Sequence, residues 1–263
     1  MMRRLIKRGN GRTANKLRSY LRSAYSVAAA ATSKPNIPEH FNRFKIEHNP
    51  AGETFPDESA NRSDKNPLMT DEMFLYWDLI SKAVGLKGAV LRLHVLTGGQ
   101  RISQLVRLRV EDVHQDFIKI YDGKGRPGKP ARIHIVPLIP AARKELELIG
   151  GTGRYAISSD GGETPIHNTT MSHWANEVVG DRIKDFQLKR IRSGIETLLA
   201  RHVTREIRGR LQSHGISGVQ DRHYDAYDYF DEKYEALSKM FDMLTTKSLL
   251  VSRSARNHTG AVL

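Results

Sequence analysis

An arginine at a glycine-broken junction, a lysine in a hairpin, a second arginine, a histidine and a tyrosine follow one another along this chain in an order that suits phosphodiester chemistry. The first lies in LRLHVLTGGQRISQLVRLRVEDVHQDFIKIYDGKGRPGKPARIHIVPL, residues 91–138, where Thr97-Gly98-Gly99-Gln100 leads into Arg101 and Lys124 follows in the hairpin. Farther on come Lys189-Arg190-Ile191-Arg192, then His214, then Tyr224. Two guanidinium groups can fork onto the non-bridging oxygens of one phosphate and stabilise the charge that builds there as a nucleophile adds. Arg101 and Arg192 are the candidates for that pair, and a tyrosine hydroxyl can be the attacking group.

These residues need elements to hold them. Thr70 can cap a helix whose first turn carries Asp71 and Glu72, and Met73, Trp77, Ile80 and Val84 follow at helical spacing. Residues 90–96 continue as a buried helix, Gly98 and Gly99 let the backbone turn, and Ile102, Leu105 and Leu108 restart the helical period. Arg101 is therefore expected at a helix start, where free backbone donors and the dipole would add to its charge. Alternating patterns over 117–121 and 132–136 predict two strands joined across a Gly/Pro-rich connection that carries Lys124 and Lys129. Further helices are expected over 140–149, 168–179, 188–202, 205–212 and 226–245. The fold class is α+β: mainly helical, with a small antiparallel β-hairpin.

Toward the N-terminus, residues 12–31 read as a helix with Leu17, Leu21, Ala24 and Ala28 on one face. The stretch 32–67 is rich in Pro, Asn, Ser, Asp and Gly, includes the Asn49-Pro50 and Asn66-Pro67 breakers, and reads as a linker. At the other end, Tyr234, Leu237, Phe241 and Leu244 recur on one face of an amphipathic helix, and the polar stretch 248–263 reads as a mobile tail. The expected domains are 1–66, a partial helical region and linker; 67–247, the domain that carries the candidate chemistry; and 248–263, the tail.

Composition narrows the function classes. The chain has 263 residues, 39% of them hydrophobic, enough for one large domain or a smaller pair. Its formal net charge of +13 favours a polyanionic partner, nucleic acid or an acidic membrane surface. No apolar run reaches the roughly 18 residues of a spanning helix, and Met1-Met2-Arg3-Arg4 is not followed by the apolar stretch of a signal peptide, so a cytoplasmic protein is expected. The absence of cysteine excludes disulfides, thiolate zinc sites and a cysteine nucleophile. Gly123-Lys124-Gly125 joins two strands rather than a strand and a helix, so it does not read as a nucleotide-binding loop. No cofactor and no metal are expected.

Order and local context together resemble the tyrosine recombinase (phage integrase) family over residues 68–244. The family pattern Thr-Gly-x-Arg-x-Ser-Glu-Leu is similar to Thr97-Gly98-Gly99-Gln100-Arg101-Ile102-Ser103-Gln104-Leu105, with one extra residue before the arginine and Gln104 where an acidic residue is usual. The His-x-x-Arg box appears as Lys189-Arg190-Ile191-Arg192, with lysine in the histidine position and Thr197 beyond it. LQSHGISGVQDRHYDAYDYFDEKYEAL resembles the closing segment, in which a histidine precedes the nucleophilic tyrosine.

The resemblance implies a helical core-binding domain, of which residues 1–66 would be the final part, ahead of a catalytic domain. It implies that Arg101 and Arg192 bind the scissile phosphate and that Lys189 and His214 flank it, donating hydrogen bonds or managing the tyrosine proton. Lys124, preferred over Lys129, would protonate the leaving 5′ oxygen. Tyr224, preferred over Tyr227 and Tyr229, would form a 3′-phosphotyrosyl link without a nucleotide cofactor. Arg107 and Arg190 read as DNA-backbone or surface residues.

The implied function is a site-specific DNA recombinase or integrase, encoded by a phage, another mobile genetic element or a bacterial chromosome. Its implied partners are double-stranded recombination sites, three further copies of the chain in a tetramer on paired sites, and accessory DNA-bending or directionality proteins. Integration, excision and dimer resolution stay open as its purpose. Two alternatives remain: a relative that occupies recombination sites without cutting, favoured by Lys189, Gln104 and the short N-terminal region, and a type IB topoisomerase-like relaxing enzyme.

Overall fold

Strands β1 (Phe117–Asp122) and β2 (Arg132–Pro137) pair antiparallel with Ile118 opposite Val136, Ile120 opposite His134 and Asp122 opposite Arg132. Because side chains alternate across a strand, Ile118, Ile120 and Asp122 share the buried face of β1. A carboxylate thus occupies the third position of an apolar series. The computed structural model describes residues 1–61, 66–123, 130–214 and 228–259. The chain divides into two units, Met1–Lys65 and Asn66–Leu263.

The first unit is built on helices α1 (Met2–Lys7) and α2 (Gly11–Ala29). Its second half, read from sequence as a linker, instead folds back along α2. Asn15 and the Asp57 backbone exchange two hydrogen bonds, of 2.8 and 2.7 Å. Arg18 Nε donates to the Thr54 carbonyl at 2.8 Å, and the Asn49 amide reaches the Arg22 carbonyl at 2.8 Å. Side-chain bonds to backbone can order a segment that has no periodic pattern of its own.

In the second unit the helices are α3 (Thr70–Ser81), α4 (Gly85–Leu96), α5 (Ile102–Leu105), α6 (Pro140–Ile149), α7 (Asn168–Val179), α8 (Lys189–Leu199), α9 (Arg205–Leu211) and α10 (Phe230–Thr259), of which α5 packs on β1 and α10 on β2. The fold is α+β and mainly helical, with a small antiparallel hairpin. Met73, Ile80, Leu91, Leu96, Ile118, Val136, Ile191, Ile195 and Leu237 are among the core residues. Each such side chain stabilises the fold by about 1.5–3 kcal/mol through removal from water. Arg92 of α4 makes a two-pronged pair with Glu145 of α6, each bond 2.8 Å long.

Three details differ from the sequence reading. Thr70 is the first helical residue rather than the cap; the Met69 N–H is instead satisfied by the Glu72 carboxylate at 2.8 Å, reaching back as in a capping box. Arg190 is not a surface residue. It is 6% exposed and donates to the carbonyls of Asn66, Pro67, Lys184 and Asp185, with Glu72 Oε2 at 3.2 Å. Lastly, α10 runs to Thr259, through residues expected to form part of the tail.

Candidate active site

The glycine junction sets the geometry of the site. Gly98 and Gly99 have φ of +82° and +65°, a region open to glycine at little cost. A Cβ on Gly99 would also sit 3.0 Å from the Arg192 Cα, so the missing side chain lets α8 approach the loop. Below this junction lies His94, fully buried, whose Nε2 donates to the Gln100 carbonyl at 2.9 Å. Burial lowers its pKa to about 4, which keeps the ring neutral at physiological pH.

Two glutamines lock the junction to the end of α9 in a reciprocal arrangement. Gln100 Nε2 donates to the Leu211 carbonyl at 2.9 Å, and Gln212 Nε2 donates to the Gly98 carbonyl at 3.1 Å and the Arg192 carbonyl at 2.8 Å. Both glutamines are buried, and these bonds satisfy their amide nitrogens, while the two side-chain oxygens have no hydrogen-bond partner among the described residues.

Arg192 projects from α8 into this frame. Its Nη1 donates to the Gly99 carbonyl at 3.0 Å, Nη2 donates to the Gln212 carbonyl, and Nη2 and Nε approach His214 Nε2 at 2.9 and 3.3 Å. With two nitrogens of the Arg192 guanidinium facing Nε2 as donors, the ring proton is assigned to Nδ1. The Arg192 pKa is lowered to about 10, first by burial and then by the nearby charge of Arg101; it remains a cation at neutral pH. Two arginines that repel each other are what an anion between them would relieve.

Arg101 caps α5, but that helix is a single turn. The dipole contribution expected from the sequence is correspondingly small, and anion affinity rests on the guanidinium. Its Nη1 lies 2.9 Å from Asp122 Oδ2. Gln104 Nε2 donates to Asp122 Oδ1 at 2.8 Å, and Ser213 Oγ donates to Asp122 Oδ2 at 2.9 Å. Arg132 Nη2 reaches Asp122 Oδ2 at 3.4 Å and also bonds the Ser213 hydroxyl.

His214 is delivered by a tight helix end. Its N–H bonds the Gly209 carbonyl at 2.7 Å and the Ser213 N–H bonds the Arg210 carbonyl at 3.2 Å, the paired bonds of a Schellman cap. Ser213 takes the left-handed position with φ +55°, where glycine is the usual residue. His214 itself is exposed, facing Arg192.

Of the residues singled out from sequence, Arg192 and His214 are in contact, and Arg101 is coupled to Arg192 by charge. Lys189 is exposed at the start of α8, one turn before Arg192 and so on the same side of the helix. Lys124, Lys129, Tyr224 and Tyr227 lie outside the described residues. Tyr229 is within them: its hydroxyl donates to Glu206 at 2.9 Å and its ring lies 4.5 Å below Arg210. Sequence reading missed Asp122, Arg132, Ser213 and the two glutamines. For Asp122 a signal was present, since it continues the inward Ile118-Ile120 alternation. Beside Arg101 runs an open groove of 680 Å³ whose lining includes Gln104, Arg107, Arg109, Lys119 and Tyr155.

No family model matches the sequence, and no curated protein matches it. Solved structures do match its fold. A lambda integrase fragment, residues 75–356, bound to DNA aligns at a TM-score of 0.56 with 18% identity, over 84% of this chain and 78% of that one. The Tn1549 transposon integrase, residues 82–397, in complex with circular intermediate DNA aligns at 0.56 with 14% identity, over 89% and 81%. A lambda integrase tetramer bound to a Holliday junction aligns at 0.55 with 19% identity, over 85% of this chain and 63% of that one. The fold is that of the tyrosine recombinase catalytic domain.

Proposed function

We propose that the chain is a site-specific DNA recombinase that breaks and rejoins strands through a 3′-phosphotyrosyl intermediate. The observation that carries the reading is the convergence of Arg192, His214 and the charge of Arg101 at one junction, on a fold shared with integrases solved on DNA. In this reading Arg101 and Arg192 bind the two non-bridging oxygens of the scissile phosphate, and His214 and Lys189 flank it as hydrogen-bond donors.

The Tyr224 oxygen attacks phosphorus in line. A tyrosyl–phosphorus bond forms, the bond from phosphorus to the 5′ oxygen breaks, and the leaving oxygen takes a proton from Lys124. The proton given up by Tyr224 passes by way of His214 to solvent and is recovered when the strand rejoins. Rejoining is the same exchange with a new 5′ hydroxyl, so no external energy source is required.

The basic groove lined by Arg107, Arg109 and Lys119 supports a phosphate backbone running on from the reacting phosphate. The domain division we propose follows the same reading: a partial core-binding region over 1–66, a catalytic domain over 67–247 and a C-terminal segment over 248–263. Four copies acting on paired sites, as the lambda tetramer sits on its junction, complete the proposal.

The test is a nicked suicide duplex carrying the attachment site identified from DNA flanking the gene. The expected product is a protein–DNA adduct that survives denaturation. Tight, specific binding with no adduct would instead identify a site-occupying relative, and relaxation of plasmids lacking the site would identify a topoisomerase.

A further inference from the structure

Asp122 stands at the centre of the site without being able to bind an anion. It is 6% exposed, on the inward face of β1, and a carboxylate so placed needs partners to offset its desolvation. Those partners come from three separate parts of the chain. Arg101 and Gln104 belong to the glycine junction and α5, Arg132 is the residue opposite on β2, and Ser213 immediately precedes His214.

We propose that Asp122 is a positioning residue of this site: its carboxylate bonds both the Arg101 side chain and the Ser213 hydroxyl, and so sets that guanidinium relative to the end of α9 that carries His214. A lone Arg101 side chain has several torsions to settle before both phosphate-binding groups face one point. The bond to Asp122 Oδ2 restricts that freedom in advance, as the bond from Ser213 to the same oxygen restricts the loop bearing His214. One oxygen thereby carries two constraints, and a shift in either is felt by the other.

The pairing with Gln104 makes the idea testable. Gln104 donates to Asp122, so exchanging the two functional groups, Gln104→Glu with Asp122→Asn, retains one negative charge, the hydrogen bond between them and nearly the same volumes. Because the inference rests on the recombinase reading, two readouts separate their failures: the rate of adduct formation on the suicide duplex, and the nitrogen-15 side-chain signal of Arg101, assigned by its loss in Arg101→Lys.

Asp122→Asn is expected to slow adduct formation by about 10–100-fold, the scale of a lost charge-assisted hydrogen bond, and to shift and broaden the Arg101 signal. DNA affinity should be retained, since a negative charge has been removed beside a phosphate site. The double exchange should recover most of the rate and sharpen the signal. Adduct formation at the wild-type rate in Asp122→Asn overturns the inference, as does a folded double exchange that stays slow. If the wild type itself forms no adduct, the recombinase reading fails, and the Arg101 signal alone decides whether Asp122 holds that side chain.

Discussion

Arg192 holds His214 through two donors, Nη2 at 2.9 Å and Nε at 3.3 Å from the ring Nε2, while its Nη1 bonds the Gly99 carbonyl at 3.0 Å. One planar guanidinium therefore joins α8, the glycine junction and the end of α9. An ammonium cannot reproduce this, because it is a point charge without the fork. Arg192→Lys is expected to lower adduct formation by at least about 100-fold, a loss of the order found for transition-state donors. Gel-shift affinity for the site should fall by much less. Equal losses in binding and cleavage would count against this role for Arg192.

Ser213 gives a prediction whose sign depends on backbone rather than side chain. Its left-handed φ of +55° penalises any residue with a Cβ, and its hydroxyl offsets part of that through Asp122. Ser213→Ala keeps the penalty and loses the hydrogen bond, whereas Ser213→Gly loses both. Chemical denaturation should therefore find the alanine variant less stable than the glycine variant by about 1 kcal/mol. The reverse order would mean that this position is not left-handed in solution.

Stability should depend on pH through two buried histidines. Burial is the first cause in both, lowering His94 to about 4 and His134 to about 3 from the ordinary 6.5. The unfolded chain then takes up protons that the folded chain refuses, so stability is fully present above 6.5 and is lost as pH falls toward 4 and 3. Each contributes a slope of up to about 1.4 kcal/mol per pH unit in that window. Melting temperatures should drop between pH 7 and pH 5, and His134→Gln should show a shallower drop. A variant with the full wild-type slope would remove His134 from this explanation.

DNA binding should weaken with salt, with a slope set by the number of phosphates engaged. Arg107 lines the groove beside Arg101 and is exposed. Replacing it with alanine should reduce that slope by about one and weaken all sequences alike, as expected for a backbone contact. A change in sequence preference at constant slope would make Arg107 a base-reading residue.

What could be read from sequence follows from how local each signal is. The period of Met73, Trp77 and Ile80, the alternation of Ile118 and Ile120, and the glycine pair before Arg101 all act within a few residues, and helices and hairpin formed where they pointed, except that α3 ends at Ser81 and leaves Val84, read with the same helix, exposed ahead of α4. Arg190 reads as exposed from sequence because a charged residue beside two candidates gives no sign of the acceptors that close on it, Asn66, Pro67 and Glu72 from far along the chain and Lys184 and Asp185 from the turn before α8. Asp122 and Ser213 were passed over for a similar reason: their bond joins residues far apart in sequence, and neither identity alone signals a partner. Gln104 looked like a loss of function where the structure gives it a carboxylate to bond. The proposed roles of Lys124 and Tyr224 still rest on sequence.

The central claim is that Tyr224 carries the DNA in a covalent intermediate on a phosphate held by Arg101 and Arg192. The most direct measurement is mass spectrometry of the adduct after nuclease and protease digestion. The expected result is a phosphotyrosyl nucleotide on the peptide containing Tyr224, absent from Tyr224→Phe. An adduct on Tyr227, on Tyr229 or on another residue, or an adduct that persists in Tyr224→Phe, would contradict it.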